Sequence, residues 1–345
     1  MMEIDSIVPD NVLLGKSNLE ISTIKPTVSV VIVTWNSEDF IDGCLTALFD
    51  QTYPHLDVII VDNYSTDHTL EIIHAYHNLR LFKQNENLGF SKGQNIGIAE
   101  AIGDYLFLLN PDVILAEDHI EKLVTVAEKH PQAGTVTGKL LLSDGMTSRQ
   151  PTALIDSVGF YLEKTRRQRL HGYQDVDSER YNQQHDIFGG CAAASLYRKA
   201  MLEACKFEGQ YFDEAFFVYK EDIDLAWRAQ LLGWKSIYTP CAVAFHRRAF
   251  KPNQRSDVSP HIRMHSIKNR YLLLIKNELF ANFVRHSAYI IFYDLKILIY
   301  LLLFEQSSLG GLLRVIRLLP EMLRWRRFIM KHKKVDETYM LAWMK

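Results

Sequence analysis

Three carboxylates lie within four residues in the segment Glu221-Asp222-Ile223-Asp224. The segment opens a stretch with helical periodicity, where acidic residues ordinarily favour the helix dipole and Asp224 can pair with Arg228 one turn later. Two adjacent carboxylates and a third exceed what capping alone requires. Because neighbouring carboxylates repel one another, one of them stays basic enough to accept a proton. The segment therefore predicts a proton-transfer site.

A second acidic position follows a very apolar run. Asp112 comes after the sequence YLFLL at 105–109 and Pro111, which fix its place at the end of a strand. A divalent ion that holds two phosphates takes oxygen ligands and needs only one or two protein carboxylates. His246 closes the strand-like run AVAF and, together with Asp112, could complete a mixed oxygen and nitrogen metal site. Taken singly, Asp112 is more often a cap and His246 more often a packed histidine.

The elements that would position these groups alternate along the chain. Apolar, β-branched runs predict strands that are buried on both faces of a parallel sheet. The strands are predicted at 28–33, 58–61, 79–82 and 105–109, and helices are predicted at 38–50, 69–77, 92–101 and 118–129. This alternation predicts an α/β fold with an open, doubly wound and mostly parallel sheet.

Polar side chains stand at the carboxyl end of each predicted strand. In open α/β sheets, ligands bind outside these ends. Each such residue alone is more often a turn or cap residue, but their recurrence at four strand ends favours a ligand crevice. No G-x-G-x-x-G or P-loop motif follows the first strand, so neither glycine-based nucleotide site is predicted. The residues at these ends are Thr34, Asn36, Asp62, Asn87 and Asn110.

Charge divides the chain into two unlike parts. With 48% hydrophobic and 23% charged residues, the composition is that of a globular protein and excludes a disordered or collagen-like chain. Residues 1–250 carry 22 Lys and Arg against 34 Asp and Glu, whereas residues 251–345 carry 17 against 7. We expect a flexible tail over 1–25, an acidic body over 26–250 and a basic helical region over 251–345. The four widely spaced cysteines favour a reduced cytoplasmic setting, and the acidic body disfavours nucleic acid.

The basic region has two features that point to a membrane. Residues 312–334 contain eight Lys or Arg, and a helical wheel separates most of them from an apolar arc that includes Met322, Trp325 and Ile329. Such a helix is typical of an anionic membrane surface, and the alternative is a helix packed on the acidic body. The preceding run 288–304 is apolar but contains Asp294 and Lys296, which disfavours a simple span. Whether it spans or lies on the membrane stays open.

The chain contains four separated motifs, VSVVIVTWNSEDFIDGCLTALFDQTYP, VIIVDNYSTDHT, NENLGFSKGQNIGIAEAIGDYLFLLNPDV and FDEAFFVYKEDIDLAWRAQLLGW. These four motifs resemble glycosyltransferase family 2, and in particular its bacterial rhamnosyltransferase-like branch. They occur in the family's order over about residues 26–250. The resemblance implies a GT-A fold, with a nucleotide-sugar half at 26–115 and an acceptor half at 116–250.

The resemblance also implies residue roles. Asp222 would be the general base, with Glu221 beside it in contact with substrate. Asp112 would hold Mg²⁺ or Mn²⁺ against the donor diphosphate, with His246 as a second contact, and Asn110 replaces the first carboxylate of the Asp-x-Asp found in many members. The other residues expected to bind the nucleotide sugar are Thr34, Asn36, Asp62, Asn87, Lys92 and Asn95.

The implied activity is inverting, metal-dependent transfer of a sugar from a dTDP- or UDP-sugar to a glycan or lipid-linked acceptor, with dTDP-rhamnose as a candidate donor. The protein would act in the cytoplasm, peripherally on the inner face of the cell membrane. The alternative from another class is a non-catalytic nucleotide-sugar-binding subunit of a membrane complex, which the intact Asp112 and Asp222 disfavour.

Overall fold

The computed structural model describes residues 25–143, 153–248 and 258–345. The tail expected over residues 1–25 lies outside these residues apart from Lys25. The strands are β1 (Val28–Thr34), β2 (Leu56–Asp62), β3 (Leu79–Lys83), β4 (Tyr105–Leu109), β5 (Val113–Leu115), β6 (Ala133–Leu142), β7 (Ile155–Ser157), β8 (Phe160–Leu162), β9 (Gln168–Leu170), β10 (His185–Ile187), β11 (Ala194–Arg198) and β12 (Lys235–His246). The helices are α1 (Ile41–Phe49), α2 (Thr69–His74), α3 (Gly89–Glu100), α4 (His119–Lys129), α5 (Lys199–Cys205), α6 (Glu221–Leu231), α7 (Pro260–Asn277), α8 (Phe280–Phe304), α9 (Gly310–His332) and α10 (Glu337–Ala342).

Most strands form one mixed sheet in the order β10-β12-β6-β11-β4-β1-β2-β3, with β5 paired to β12 and β7 to β6. The strands β4, β1, β2 and β3 run parallel, and the register places Thr34 opposite Asp62. Strand β11 is antiparallel to both of its neighbours, whereas β12 runs parallel to β6. The predicted α/β class, its four leading strands and the helices between them are confirmed.

Successive side chains of the central strands point to opposite faces of the sheet and pack into two different hydrophobic cores, as the two-residue period of a strand requires. On β1, Val31 and Val33 join the core that contains α3, α5 and α6, whereas Val30 and Ile32 join the core beneath α1, α2 and α4. All four are buried. This explains why the run is apolar without interruption and why it reads as a strand covered on both faces.

Helix α3 lies unusually close to β1. A Cβ added at Gly93 would stand 2.8 Å from a methyl carbon of Val33, and one added at Gly97 would stand 2.3 Å from Val31. Side chains at these positions would push the helix off the sheet. The two glycines therefore fix the distance between α3 and the sheet edge where the strands end.

The C-terminal helices α7 and α9 pack on the body. Met322, Trp325 and Ile329 of α9 are almost fully buried, and the Trp325 ring stands 4.8 Å from that of Phe207 and 4.1 Å from the Lys276 ammonium. The expectation that this apolar arc faces a membrane is therefore wrong for these three residues. An amphipathic pattern is the same whether its apolar face meets lipid or protein, and here it meets protein.

Helix α8 differs from the other helices in the described part of the chain. By length and composition it is the one helix there that could cross a membrane, and most of its apolar side chains are exposed. Asp294, one of the two charged residues that disfavoured a simple span, faces inward, where the Arg270 guanidinium lies 2.7 Å from its carboxylate, whereas the other, Lys296, is exposed. The exposed surface of α8 is consequently more apolar than its sequence alone indicates.

Candidate active site

A cavity of about 490 Å³ opens at the carboxyl edge of the sheet. Asn110 follows β4, Glu221 and Asp222 begin α6, and His246 ends β12, so distant parts of the chain meet there. Arg263 of α7 lines the wall that the C-terminal region supplies. Four of the residues singled out from the sequence thus share one cavity. A cavity of this size at a strand-end crevice is typical of a small-molecule site.

Asp222 and Glu221 are the acidic pair of this cavity. Burial raises the pKa of Asp222 above its usual range, although the Ile223 and Ala192 N–H groups oppose the rise. Burial raises the pKa of Glu221 more than that of Asp222, and the charge of Asp222 adds to this rise. The Oε2 atom of Glu221 has no hydrogen-bond partner among the described residues. Glu221 is therefore the carboxyl that retains its proton. Asp222 is the one that can ionise and then accept a proton.

Asp224 has a different role from its two neighbours. It is buried, and its carboxylate accepts hydrogen bonds from Arg228 at 3.0 Å, Lys276 at 2.9 Å and Asn277 at 2.9 Å. Burial would raise the pKa of Asp224, but the Lys276 and Arg228 charges outweigh it and lower that pKa. The pairing with Arg228 expected from the sequence is confirmed. Asp224 ties α6 to α7 and leaves proton transfer to the residues in the cavity.

The loop that leads into Asp222 is strained. Phe217, Tyr219 and Lys220 all have positive φ, at 65°, 68° and 71°. Residues other than glycine adopt this backbone conformation at an energetic cost. The buried amide of Asn269 on α7 holds this loop. Its Nδ2 donates to the carbonyls of Tyr219 at 2.6 Å, Val218 at 2.9 Å and Phe216 at 3.0 Å. Asn269 therefore sets the position from which α6 starts.

His246 lies between two carboxylates. Its Nδ1 is 2.9 Å from Asp156 and its Nε2 is 3.3 Å from Asp112. Burial lowers the pKa of His246, but Asp112 and Asp156 outweigh it and raise that pKa to about 9. Asp156 is fully buried and also forms an ion pair with Arg248. Asp156 thus fixes the ring so that Nε2 points at Asp112.

The carboxylate of Asp112 and the imidazole of His246 form a mixed oxygen and nitrogen donor pair for a divalent ion. Two ligands at right angles, each about 2.1 Å from such an ion, stand about 3 Å apart, close to the separation of Asp112 and His246 Nε2. The buried Asn110 Oδ1 has no hydrogen-bond partner in the described part of the chain and could accept from substrate or an ion-bound water. No group of three or more His, Cys, Asp or Glu side chains that could together hold a metal ion occurs within 25–143, 153–248 and 258–345. An ion held by these two ligands would take its remaining ligands from phosphate oxygens and water. Asp112 itself borders a separate small cleft with Phe40 and Arg247, and its carboxylate lies 3.3 Å from His246, which lines the cavity.

Thr34, Asn36 and Asp62 lie together beside the cavity, at the ends of β1 and β2. Asp62 accepts hydrogen bonds from the Thr34 hydroxyl at 2.9 Å and from the Ser65 N–H at 3.0 Å. Asn36 has φ +48°, and its side-chain oxygen accepts from the Thr66 N–H at 2.9 Å. The two post-strand loops are thereby locked to each other. This forms an ordered polar edge, although none of the three lines the large cavity.

The other three residues expected to bind nucleotide sugar lie at or on α3. Asn87 accepts from the Gly89 N–H at 2.9 Å, and Lys92 is half-buried. Asn95 is buried, with its oxygen accepting from the Tyr211 and Phe212 N–H groups at 3.1 and 2.9 Å. Its amide also donates to the Phe212 carbonyl at 2.8 Å. Asn95 thus holds the segment that precedes the acidic pair, and a contact with substrate stays a prediction for all three.

Three residues that the sequence analysis did not select prove central to this geometry. Asp156 lies in a three-residue strand without a motif, so nothing in its neighbourhood marks it. Arg248 follows His246 by two residues, and this proximity in the sequence is what could have identified it as part of the site. Asn269 reads as one more polar residue on a helix, since its partners are backbone carbonyls of a loop some fifty residues earlier.

Comparison with known proteins relates the chain to one family. Residues 29–205 match the family model described as "Glycosyl transferase family 2". Among curated proteins, N-acetylglucosaminyl-diphospho-decaprenol L-rhamnosyltransferase of Mycobacterium tuberculosis is 28% identical over 262 residues, covering 71% of this chain and 83% of that protein.

Solved structures support the fold. S. aureus TarS 1-349 in complex with UDP-GlcNAc has a TM-score of 0.52 and 18% identity, covering 92% of each chain. The mannosyltransferase PcManGT from Pyrobaculum calidifontis, in complex with GDP-Man and Mn²⁺, has a TM-score of 0.51 and 16% identity, covering 93% of this chain and 86% of that one. At such identities the likeness establishes the GT-A-like fold.

Proposed function

The chain belongs to glycosyltransferase family 2 and is a glycosyltransferase, and from this premise we propose that it moves a sugar, with inversion of configuration, from a dTDP- or UDP-linked donor to a lipid-linked or polysaccharide acceptor. Rhamnose from dTDP-rhamnose is the candidate donor sugar. The name of the mycobacterial relative, which combines a rhamnosyl donor with a diphospho-lipid acceptor, supports both choices. The alternative of a non-catalytic subunit has no observation in its favour.

One observation carries the mechanism. The Asp222 carboxylate, which can ionise, shares a cavity with the polar ends of β4 and β12. We assign Asp222 as the base that removes the proton from the acceptor hydroxyl. The acceptor oxygen then bonds to the anomeric carbon while the bond from that carbon to the diphosphate oxygen breaks on the opposite face. The configuration inverts, and the nucleoside diphosphate leaves with the bonding electrons.

Asp112 and His246 are the residues that would hold Mg²⁺ or Mn²⁺, which would neutralise the charge developing on the departing diphosphate. Asp156 keeps the His246 ring in the orientation required for this. Thr34, Asn36 and Asp62 order the edge where the nucleoside would lie. Glu221, with its proton retained, adds no second negative charge beside the base.

We also propose that the protein works peripherally at the cytoplasmic face of the cell membrane. The exposed apolar surface of α8 and the excess of basic residues in 251–345 support this location. Lipid-linked acceptors are held at such a surface. The packing of α9 on the body means that α8, rather than the buried arc of α9, supplies the apolar contact.

The experiment pairs Asp222→Asn with Asp186→Asn, a carboxylate on the body surface that pairs with Lys235. Asp222→Asn keeps the side-chain size but removes the base, so transfer should fall by about a hundredfold or more, while calorimetry should find donor binding unchanged. Asp186→Asn should retain wild-type turnover.

The pH dependence supplies a second readout. Asp222 must be ionised to accept a proton, so kcat should rise with pH. Because burial raises the Asp222 pKa, the midpoint of this rise should lie above the ordinary aspartate value of about 4. Full transfer by Asp222→Asn, or a midpoint at the ordinary value, would contradict this assignment of the base.

A further inference from the structure

Three cationic side chains among the described residues line the catalytic cavity beside His246, and two of them are engaged. Lys220 donates to the Ser266 carbonyl at 2.8 Å and to the Ser266 hydroxyl at 3.0 Å. Arg248 is paired with the buried carboxylate of Asp156. Arg263 is the third, and the described part of the chain supplies it with no hydrogen bond and no ion pair.

The state of Arg263 is costly without a ligand. Its Nε is buried and has no acceptor among the described residues, and a buried donor without a partner costs about 1–3 kcal/mol. The guanidinium presents several N–H groups in a planar fork that matches phosphate or carboxylate oxygens. An arginine in this state therefore favours the binding of an anionic group of the substrate in the cavity.

The position of Arg263 favours the acceptor over the donor. Arg263 and Ser266 are three residues apart on α7, so they lie on one face of the helix, and Ser266 binds Lys220 next to Glu221 and Asp222. Arg263 thus belongs to the wall that holds the base, which is the group that must touch the acceptor hydroxyl. The residues proposed to hold the donor diphosphate, Asp112 and His246, are positioned by the sheet instead.

The same helix leads to the apolar surface of the protein. Helix α7 packs along α9, where the backbone approaches so closely that a Cβ on Gly311 would stand 2.9 Å from the Met264 carbonyl oxygen. The exposed apolar residues Leu313 and Ile316 follow at the start of α9, and the apolar helix α8 ends just before it. A lipid-linked molecule can thus rest its chain on this surface and direct its polar end toward α7.

We propose that Arg263 binds the phosphate group that joins the sugar of the acceptor to its lipid. The inference deepens the proposed function and rests on it. Arg263 is one turn inside the N-terminus of an 18-residue helix, whose dipole adds to the attraction for an anion. Arg263 would act as a binding residue that selects phosphate-bearing acceptors, while Asp222 performs the proton transfer.

The test measures binding of a short-chain prenyl diphosphate and of the matching prenyl alcohol to the full chain. Saturating nucleoside diphosphate and Mg²⁺ are present so that the donor's phosphate site is filled. Arg263→Gln should weaken binding of the prenyl diphosphate about tenfold or more, because a charge-assisted hydrogen bond is lost. Binding of the alcohol should not change. Arg263→Lys should recover part of the loss, because it restores the charge without the fork.

Arg327→Gln is the matched control, since it removes the same charge from an exposed position on α9. It should leave prenyl diphosphate binding unchanged. Two results would overturn the inference: equal prenyl diphosphate affinity in wild type and Arg263→Gln, or a loss in Arg263→Gln that falls on the nucleoside diphosphate instead.

A failure of the proposed function would be visible separately. Asp222→Asn should bind the prenyl diphosphate as the wild type does, although it transfers no sugar. If the wild-type chain bound the prenyl diphosphate through Arg263 but never transferred sugar to a lipid-linked acceptor, the anion site would stand and the acceptor assignment would be lost.

Discussion

Asp156 does not line the cavity, but it contacts His246, which does. It is fully buried, binds the Nδ1 side of His246 at 2.9 Å, and is paired with Arg248. A histidine that binds a metal through one nitrogen ordinarily donates the other N–H to a carboxylate, which fixes the ring and strengthens the ligand. The geometry at His246 has this form, and Asp156 is therefore a positioning residue.

Replacing Asp156 by Asn should weaken Mn²⁺ binding about 10–100-fold, because the ring loses the carboxylate that orients it. Calorimetric titration of Mn²⁺ in the presence of nucleoside diphosphate measures this directly, without reliance on turnover. Transfer should recover when Mn²⁺ is raised, which a merely unfolded variant would not do. Asp118→Asn, at an exposed carboxylate paired with Lys122, is the control and should bind Mn²⁺ normally. An unchanged Mn²⁺ affinity in Asp156→Asn would remove this role.

Helix α7 holds the start of α6 in place. Asn269 satisfies three carbonyls of a loop in which Phe217, Tyr219 and Lys220 have positive φ. Such backbone conformations persist only where surrounding contacts impose them. The position of Asp222 thus depends on a helix outside the segment that matches the family model, which ends at residue 205.

Asn269→Leu should destabilise the fold by about 2 kcal/mol and also slow turnover, because the released carbonyls let the loop relax and shift Asp222. Asn282→Leu is the matched control. Asn282 is an equally buried asparagine, and its amide donates to the Glu337 carbonyl at 3.1 Å, away from the cavity. Chemical denaturation should find comparable losses of stability in both variants. The kcat of the folded enzyme should fall only in Asn269→Leu, and an equal kcat in the two would make Asn269 purely structural.

The sequence predicts those elements and residues whose signals are local. The first four strands are buried apolar runs, and Asn110, Glu221, Asp222 and His246 stand at element ends, so their meeting in one cavity could be anticipated. Asp156 and Asn269 act through pairings between distant segments, which no local pattern encodes. The same limit explains α9, where a wheel of basic and apolar residues fits a membrane or a protein core equally well.

The two oppositely charged parts of the chain are packed together. Lys276 of α7 is buried between Asp213 at 2.5 Å and Asp224 at 2.9 Å, so part of the positive charge in 251–345 neutralises the acidic body. The basic residues that remain exposed near the start of α9 include Arg314 and Arg317. They accompany the exposed apolar side chains of α8, and this combination is typical of a surface that meets an anionic bilayer.

The outer face of α8 should therefore decide membrane binding. Ile291, Leu295 and Leu302 are 58%, 51% and 51% exposed, and replacing all three by Ser should shift most of the protein from the pellet to the supernatant when it is centrifuged with anionic phospholipid vesicles. Folding and donor binding should be unaffected, since these side chains contribute little to the core. Serine at Ile102 and Val176, which are exposed singly on the body, is the control and should leave vesicle binding intact. If the wild type ignored vesicles and instead sedimented as a dimer that the triple variant dissociates, a second copy of the chain would cover α8. The membrane assignment would then be wrong.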